Sequence, residues 1–125
     1  MQTRERVLIV EDEYFLAQDL AVALQSRGAK IVALVGELGE ALEQLAGGGF
    51  DVAVVDINLK GEFAYRIADE LQRLRIPFVL ATGYSANVIP SRFDDVIRSE
   101  KPYRPCETAD LVVRLCHRPA RIGRR

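Results

Sequence analysis

Tryptophan is absent from the 125 residues, methionine and histidine occur once each, and cysteine occurs twice. These scarcities exclude several kinds of chemistry. Cys106 and Cys116 fall on one expected helix, where a rise of about 1.5 Å per residue separates them by roughly 15 Å, out of disulfide reach. Neither has neighbours at metal-ligand spacing, so both read as reduced thiols. His117, the single histidine, lies beyond the last expected helix and supports neither a zinc site nor a histidine-based group transfer. No apolar run approaches the length needed to span a bilayer, and Met1-Gln2-Thr3-Arg4-Glu5-Arg6 lacks the apolar core of a signal peptide, so a cytoplasmic protein with no membrane partner is expected. No internal repeat, low-complexity stretch or linker breaks the chain.

What is present fits one compact domain. The chain has the usual length of a single domain, and 49% hydrophobic residues suffice for a core. The net charge of −1 hides an asymmetry. Residues 114–125 carry Arg114, Arg118, Arg121, Arg124 and Arg125 without an acid, which leaves −6 for residues 1–113. With no aromatic interleaved among them, these arginines read as a solvated terminus rather than a phosphate-binding patch.

Short apolar runs alternate with helical patterns, as in a parallel sheet wrapped by helices. A first strand is expected at about 6–10. Tyr14, Leu16, Ala17, Leu20, Ala21 and Leu24 then draw one apolar helical face that Gly28 ends. Residues 30–35 read as a second strand, and Ala41, Leu42, Leu45 and Ala46 as a helix stopped by Gly47-Gly48-Gly49. Further strands are expected at about 51–55, 77–81 and 96–99, with helices at 63–73 and 107–116. Between the last two strands Pro90 disfavours helical geometry, and a short or distorted helix is expected there.

Glu11, Asp12 and Asp56 stand just beyond Val7-Leu8-Ile9-Val10 and Val52-Ala53-Val54-Val55. Taken singly they are ordinary helix-start and turn acids. If the two runs are neighbouring parallel strands, however, the three carboxylates share one crevice and need a cation or a proton to coexist. Such a crevice suits magnesium and a phosphoryl group.

Val-Leu-Ile-Val-Glu11-Asp12-Glu13, Val-Val-Asp56-Ile-Asn58-Leu-Lys-Gly61, Leu-Ala-Thr82-Gly83-Tyr84 and Lys101-Pro102-Tyr103 occur in order over residues 5–117. Together they resemble the receiver domain of bacterial two-component response regulators. The resemblance implies an α/β, flavodoxin-like, doubly wound (βα)5 parallel sheet of strand order 2-1-3-4-5. It makes Asp56 the phosphoacceptor, with Mg²⁺ held by Asp12 and Asp56, by Glu11 through water and by the main-chain carbonyl of Asn58. Thr82 and Lys101 would meet the phosphoryl oxygens, and the Lys101-Pro102 bond would be cis, at an intrinsic cost of only about 0.5–1 kcal/mol. The expected division is a receiver over residues 1–117 and a basic tail over 118–125, with no output or DNA-binding domain. Expected partners are a sensor histidine kinase or histidine phosphotransfer protein, an unknown downstream protein, and a second copy through the face of helix four, strand five and helix five. Onward relay or drainage of phosphoryl groups is the alternative output.

Two departures shape the expected switch. Arg98 stands where most receivers carry an aromatic residue three places before the lysine. Leu80-Ala81-Thr82-Gly83-Tyr84 resembles a Phe-Ala-Thr-Gly-Tyr subgroup, often stand-alone proteins in alphaproteobacteria, with leucine for phenylalanine. Tyr84 is thus the candidate to replace the missing aromatic, and Gly83 the hinge of a rearranging segment 83–95. Exposed Ile89, Phe93 and Tyr103 would favour a binding switch. Lys60 stands where many receivers have proline and loosens the loop after Asp56, with an ammonium able to approach the phosphoryl group. An aspartate-nucleophile phosphatase is disfavoured because Asn58 occupies the position of the required acid. A dinucleotide site is disfavoured because acids follow the first strand in place of glycines.

Overall fold

The computed structural model describes residues 3–83 and 89–117. Four apolar segments, β1 (Arg6–Val10), β2 (Lys30–Val35), β3 (Val52–Asp56) and β6 (Phe78–Thr82), and a more polar one, β7 (Ile97–Glu100), form one parallel sheet in the order β2-β1-β3-β6-β7. Numbered among themselves, these strands have the order 2-1-3-4-5, as expected. A small antiparallel pair not expected from the sequence, β4 (Asn58–Leu59) and β5 (Glu62–Phe63), precedes the helix expected at 63–73 and takes only its first residue, Phe63.

Side chains alternate across the strands, and the alternation divides the core. Val7, Ile9, Val52, Val54, Val79 and Ala81 face α1 (Tyr14–Gln25) and α4 (Pro105–Cys116). Leu8, Val10, Ala53, Val55 and Leu80 share the other layer with residues of α2 (Leu38–Gly47) and α3 (Tyr65–Arg73). Within α1, Ala17, Leu20, Ala21 and Leu24 are buried as their spacing requires, but Tyr14 at the first turn is 65% exposed and packs edge-on against exposed Phe15. Gly28, at φ 94°, turns the chain from α1 into β2.

Four α-helices are present among the described residues, so the fifth expected from the (βα)5 pattern is missing there. In its region Ser91–Phe93 makes one 3₁₀ turn after Pro90, whose extended ψ of 142° and missing N–H stop helical continuation. Phe93 is fully buried against Tyr65, and Tyr103 is 8% exposed, so neither supplies the exposed apolar surface that would favour a binding switch. Ile89 is half-buried against the same core layer. Arg92 holds the turn to α3 through a two-pronged contact with Asp69, 2.7 and 3.1 Å, and lies over the Phe93 ring. Both cysteines lie on α4 as free thiols, and no helix among the described residues is long and apolar enough to cross a membrane.

Candidate functional site

Strand register assembles the site. Val10 pairs with Val55, so the next residues, Glu11 and Asp56, emerge side by side at the C-terminal edge of the sheet. Asp56 pairs with Ala81, which places Thr82 one step beyond, and Thr82 pairs with Glu100, after which comes Lys101. Four strand ends thus deliver Glu11, Asp12, Asp56, Thr82 and Lys101 to one edge, the usual ligand position of an open α/β sheet.

Glu11 and Asp56 are each only 4% exposed. One carboxylate oxygen from each of Glu11, Asp12 and Asp56 lies within 4.8 Å of the others. The Lys101 ammonium bridges two of them, 2.7 Å from Asp56 Oδ2 and 3.0 Å from Glu11 Oε2. Burial and then the adjacent Asp56 push the Glu11 carboxyl up to about 7, against the opposing pull of the Glu13 amide and Lys101. Burial alone would lower the Lys101 ammonium, but Asp56 and Glu11 outweigh it and raise it above its ordinary value.

The donor set is all hard oxygen, with no sulfur or imidazole. It fits a hard divalent cation such as Mg²⁺, which takes few carboxylates and keeps several waters. Asp12 is engaged from the opposite side, since the Lys60 amide donates to its Oδ2 at 2.8 Å. That contact depends on the β4–β5 turn, where Lys60 and Gly61 both have positive φ, 51° and 87°. The Asn58 side-chain oxygen accepts from the Gly61 amide at 2.9 Å, and the Asn58 amide donates to Asp56 Oδ1 at 3.0 Å. Lys60 therefore tightens this loop, contrary to the expected loosening, and its ammonium turns to Glu37 at 3.5 Å.

Thr82 is fully buried, and its hydroxyl has no hydrogen-bond partner among the described residues, so it is a donor still free to bond at this edge. Lys101-Pro102 is cis, as expected. Arg98 leans back onto the 3₁₀ turn, donating to the Phe93 carbonyl at 3.2 Å, with Asp94 3.7 Å away. Gly83 directly follows Thr82, and Tyr84 lies outside the described residues. One contact had no precursor in the sequence reading: the Tyr103 hydroxyl donates to Glu11 Oε1 at 3.2 Å. The only hint was an aromatic residue two places after Lys101, and a separation of 92 residues from its partner hides it from any local pattern.

This geometry can be set beside known proteins. A family model described as the response regulator receiver domain matches residues 7–95. No curated protein sequence matches the chain. Among solved structures, SdrG from Sphingomonas melonis Fr1 shares 35% identity over 93% of this chain and 99% of its own, with a TM-score of 0.78. The BeF3-activated conformation of SdrG from Pseudomonas melonis Fr1 shares 34% identity over 90% of this chain and 97% of its own, with a TM-score of 0.72. PhyR from Brucella abortus, at 23% identity and a TM-score of 0.78, is similar in fold over 91% of this chain and 48% of its own. Since the family model spans the strands that carry Glu11, Asp56 and Thr82, and a third of the SdrG residues recur over nearly its whole length, this chain belongs to the response regulator receiver domain family.

Proposed function

We propose that this receiver takes a phosphoryl group on Asp56 from the phosphohistidine of a sensor histidine kinase or histidine phosphotransfer protein. An Asp56 oxygen forms the new O–P bond while the P–N bond breaks and its electron pair returns to the imidazole. The observation that carries this reading is the meeting of Asp56 with two further acids and the Lys101 ammonium at one sheet edge. Mg²⁺, when bound, would offset repulsion between the acids and the incoming oxygens. Asp12 and Asp56 would hold it, with Glu11 acting through water and the Asn58 carbonyl completing the protein ligands.

Lys101 is the mobile charge of this arrangement, poised to pass from the paired carboxylates to the new phosphoryl oxygens. Thr82 supplies the second donor, and Gly83, Tyr84, Arg98 and Pro102 form the path by which its movement reaches the surface. Arg98 ties β7 to the Phe93 carbonyl, so a displaced 3₁₀ turn alters that face. Output then runs through contact with a downstream protein, or a second copy of the chain, over β7 and α4, with no separate enzymatic activity. A phosphate sink or relay is the second reading. The burial of Phe93 and Tyr103 favours it, because it leaves a face on which the charged Arg98, Glu100, Glu107, Asp110 and Arg114 outnumber the apolar Pro102 and Leu111.

Phosphotransfer from histidine-phosphorylated donors to the wild type and to Asp56→Asn, with Mg²⁺ present or chelated, tests the reading. Label should reach only the wild type, and only with Mg²⁺.

A further inference from the structure

Glu11 is held by three donors of different kinds. Oε2 accepts from the Lys101 ammonium at 3.0 Å and from the Glu13 amide at 3.1 Å, whereas Oε1 accepts from the Tyr103 hydroxyl at 3.2 Å. The Glu13 amide is two residues along the same turn and travels with Glu11. Lys101 is shared with Asp56 at 2.7 Å and is the donor that a new anion on Asp56 would draw away. Tyr103 alone among the three is both unshared and anchored on another element.

That anchorage is firm. The Tyr103 ring packs in the core layer with Val7, Ile9, Ala109 and Val112, and the residue is 8% exposed. A buried phenol needs a partner for its hydroxyl, and here the partner is one particular oxygen of one acid. The Lys101-Pro102-Tyr103 tripeptide thus reaches both oxygens of Glu11 from a single loop, by an ammonium and by a phenol.

We infer that Tyr103 is a positioning residue for Glu11: its hydroxyl holds Oε1 so that Oε2 stays turned toward Asp56 and the cation position, even after Lys101 has moved. The inference rests on the Mg²⁺-dependent reading above. Hydrogen-bond partners of metal-holding carboxylates contribute strongly to metal affinity, and losing one weakens binding by about tenfold or more.

The test is Mg²⁺ titration of the full, unphosphorylated chain by calorimetry, using wild type, Tyr103→Phe, Glu11→Gln and the double variant, with a urea midpoint for each in the absence of metal. Tyr103→Phe keeps the ring and removes only the hydroxyl. We expect a Mg²⁺ dissociation constant about tenfold higher, a cooperative unfolding transition retained, and no further loss when Tyr103→Phe is added to Glu11→Gln. Wild-type affinity in Tyr103→Phe would overturn the inference, as would an equal loss in the Glu11→Gln background or loss of the fold. A wild type that takes no Mg²⁺ would instead overturn the reading on which the inference rests.

Discussion

Raising the pH from 5 to 8 without a divalent cation should weaken this fold, and Glu11 sets the size of the effect. Burial beside Asp56 lifts its carboxyl from an ordinary 4.5 to about 7 in the folded chain. Below pH 4.5 both states hold the proton. Between 4.5 and 7 the unfolded chain releases it while the folded chain keeps it, so stability falls as pH rises and levels off above 7. At about 1.4 kcal/mol per pH unit the gap amounts to about 3 kcal/mol.

Other shifted groups act outside this window. The Arg6 guanidinium hydrogen-bonded to Asp51 holds that carboxyl down at about 2, and the raised Lys101 and Tyr103 titrate in the alkaline range. Urea unfolding followed by circular dichroism reads the effect directly. With a slope of about 2 kcal/mol per molar, the midpoint should drop by about 1.5 M across the window. Magnesium at about 100 times its dissociation constant adds about 2.7 kcal/mol and should restore most of the loss at pH 8. Glu11→Gln leaves one of three donors without an acceptor, a constant penalty, but removes the titration and should flatten the slope. A Glu11→Gln midpoint that falls with pH as steeply as the wild type's would refute the reasoning.

Thr82→Ala removes a buried hydroxyl that has no partner among the described residues, so its stability in urea unfolding should stay level or rise by up to about 1 kcal/mol. Its uptake of phosphoryl groups should nevertheless slow in a transfer assay; equal rates would remove Thr82 from the site. Phe93→Ala empties a fully buried position stacked on Tyr65 and should cost about 3–5 kcal/mol in thermal or urea unfolding, whereas a loss under 1 kcal/mol would contradict its role as the plug of the 3₁₀ turn. The amides of Phe93, Asp94 and Val96 bond to Pro90, Ser91 and Phe93 carbonyls in that turn, and their hydrogen exchange should change when beryllofluoride occupies Asp56. Identical exchange with and without it would show that the turn takes no part in switching.

The sheet and the acids were legible because each depends on local pattern. Near-continuous apolar runs such as Val52-Ala53-Val54-Val55 mark strands buried on both faces, and an acid directly after such a run has only the sheet edge to occupy. The β4–β5 hairpin was hidden for the opposite reason. Asn58-Leu59-Lys60-Gly61-Glu62-Phe63 shows no alternation, and its turn requires Lys60 at φ 51°, a conformation lysine rarely signals. The Asn58 oxygen on the Gly61 amide and the Lys60 amide on Asp12 support it instead. The burial of Phe93 is not legible because a lone aromatic before Asp94-Asp95 draws no apolar face, although one side chain suffices to plug a core when Arg92 and Asp69 fasten its turn. The Tyr103–Glu11 bond joins the two ends of the site across the sheet, and only register and packing create it.

Intact-mass measurement of the wild type and Asp56→Asn after incubation with a small acyl phosphate and Mg²⁺ tests the central claim most directly. The wild type should gain one phosphoryl group, lost on mild alkaline treatment as expected of an acyl phosphate, and Asp56→Asn should gain none. Equal phosphorylation of the two proteins would contradict Asp56 as the acceptor.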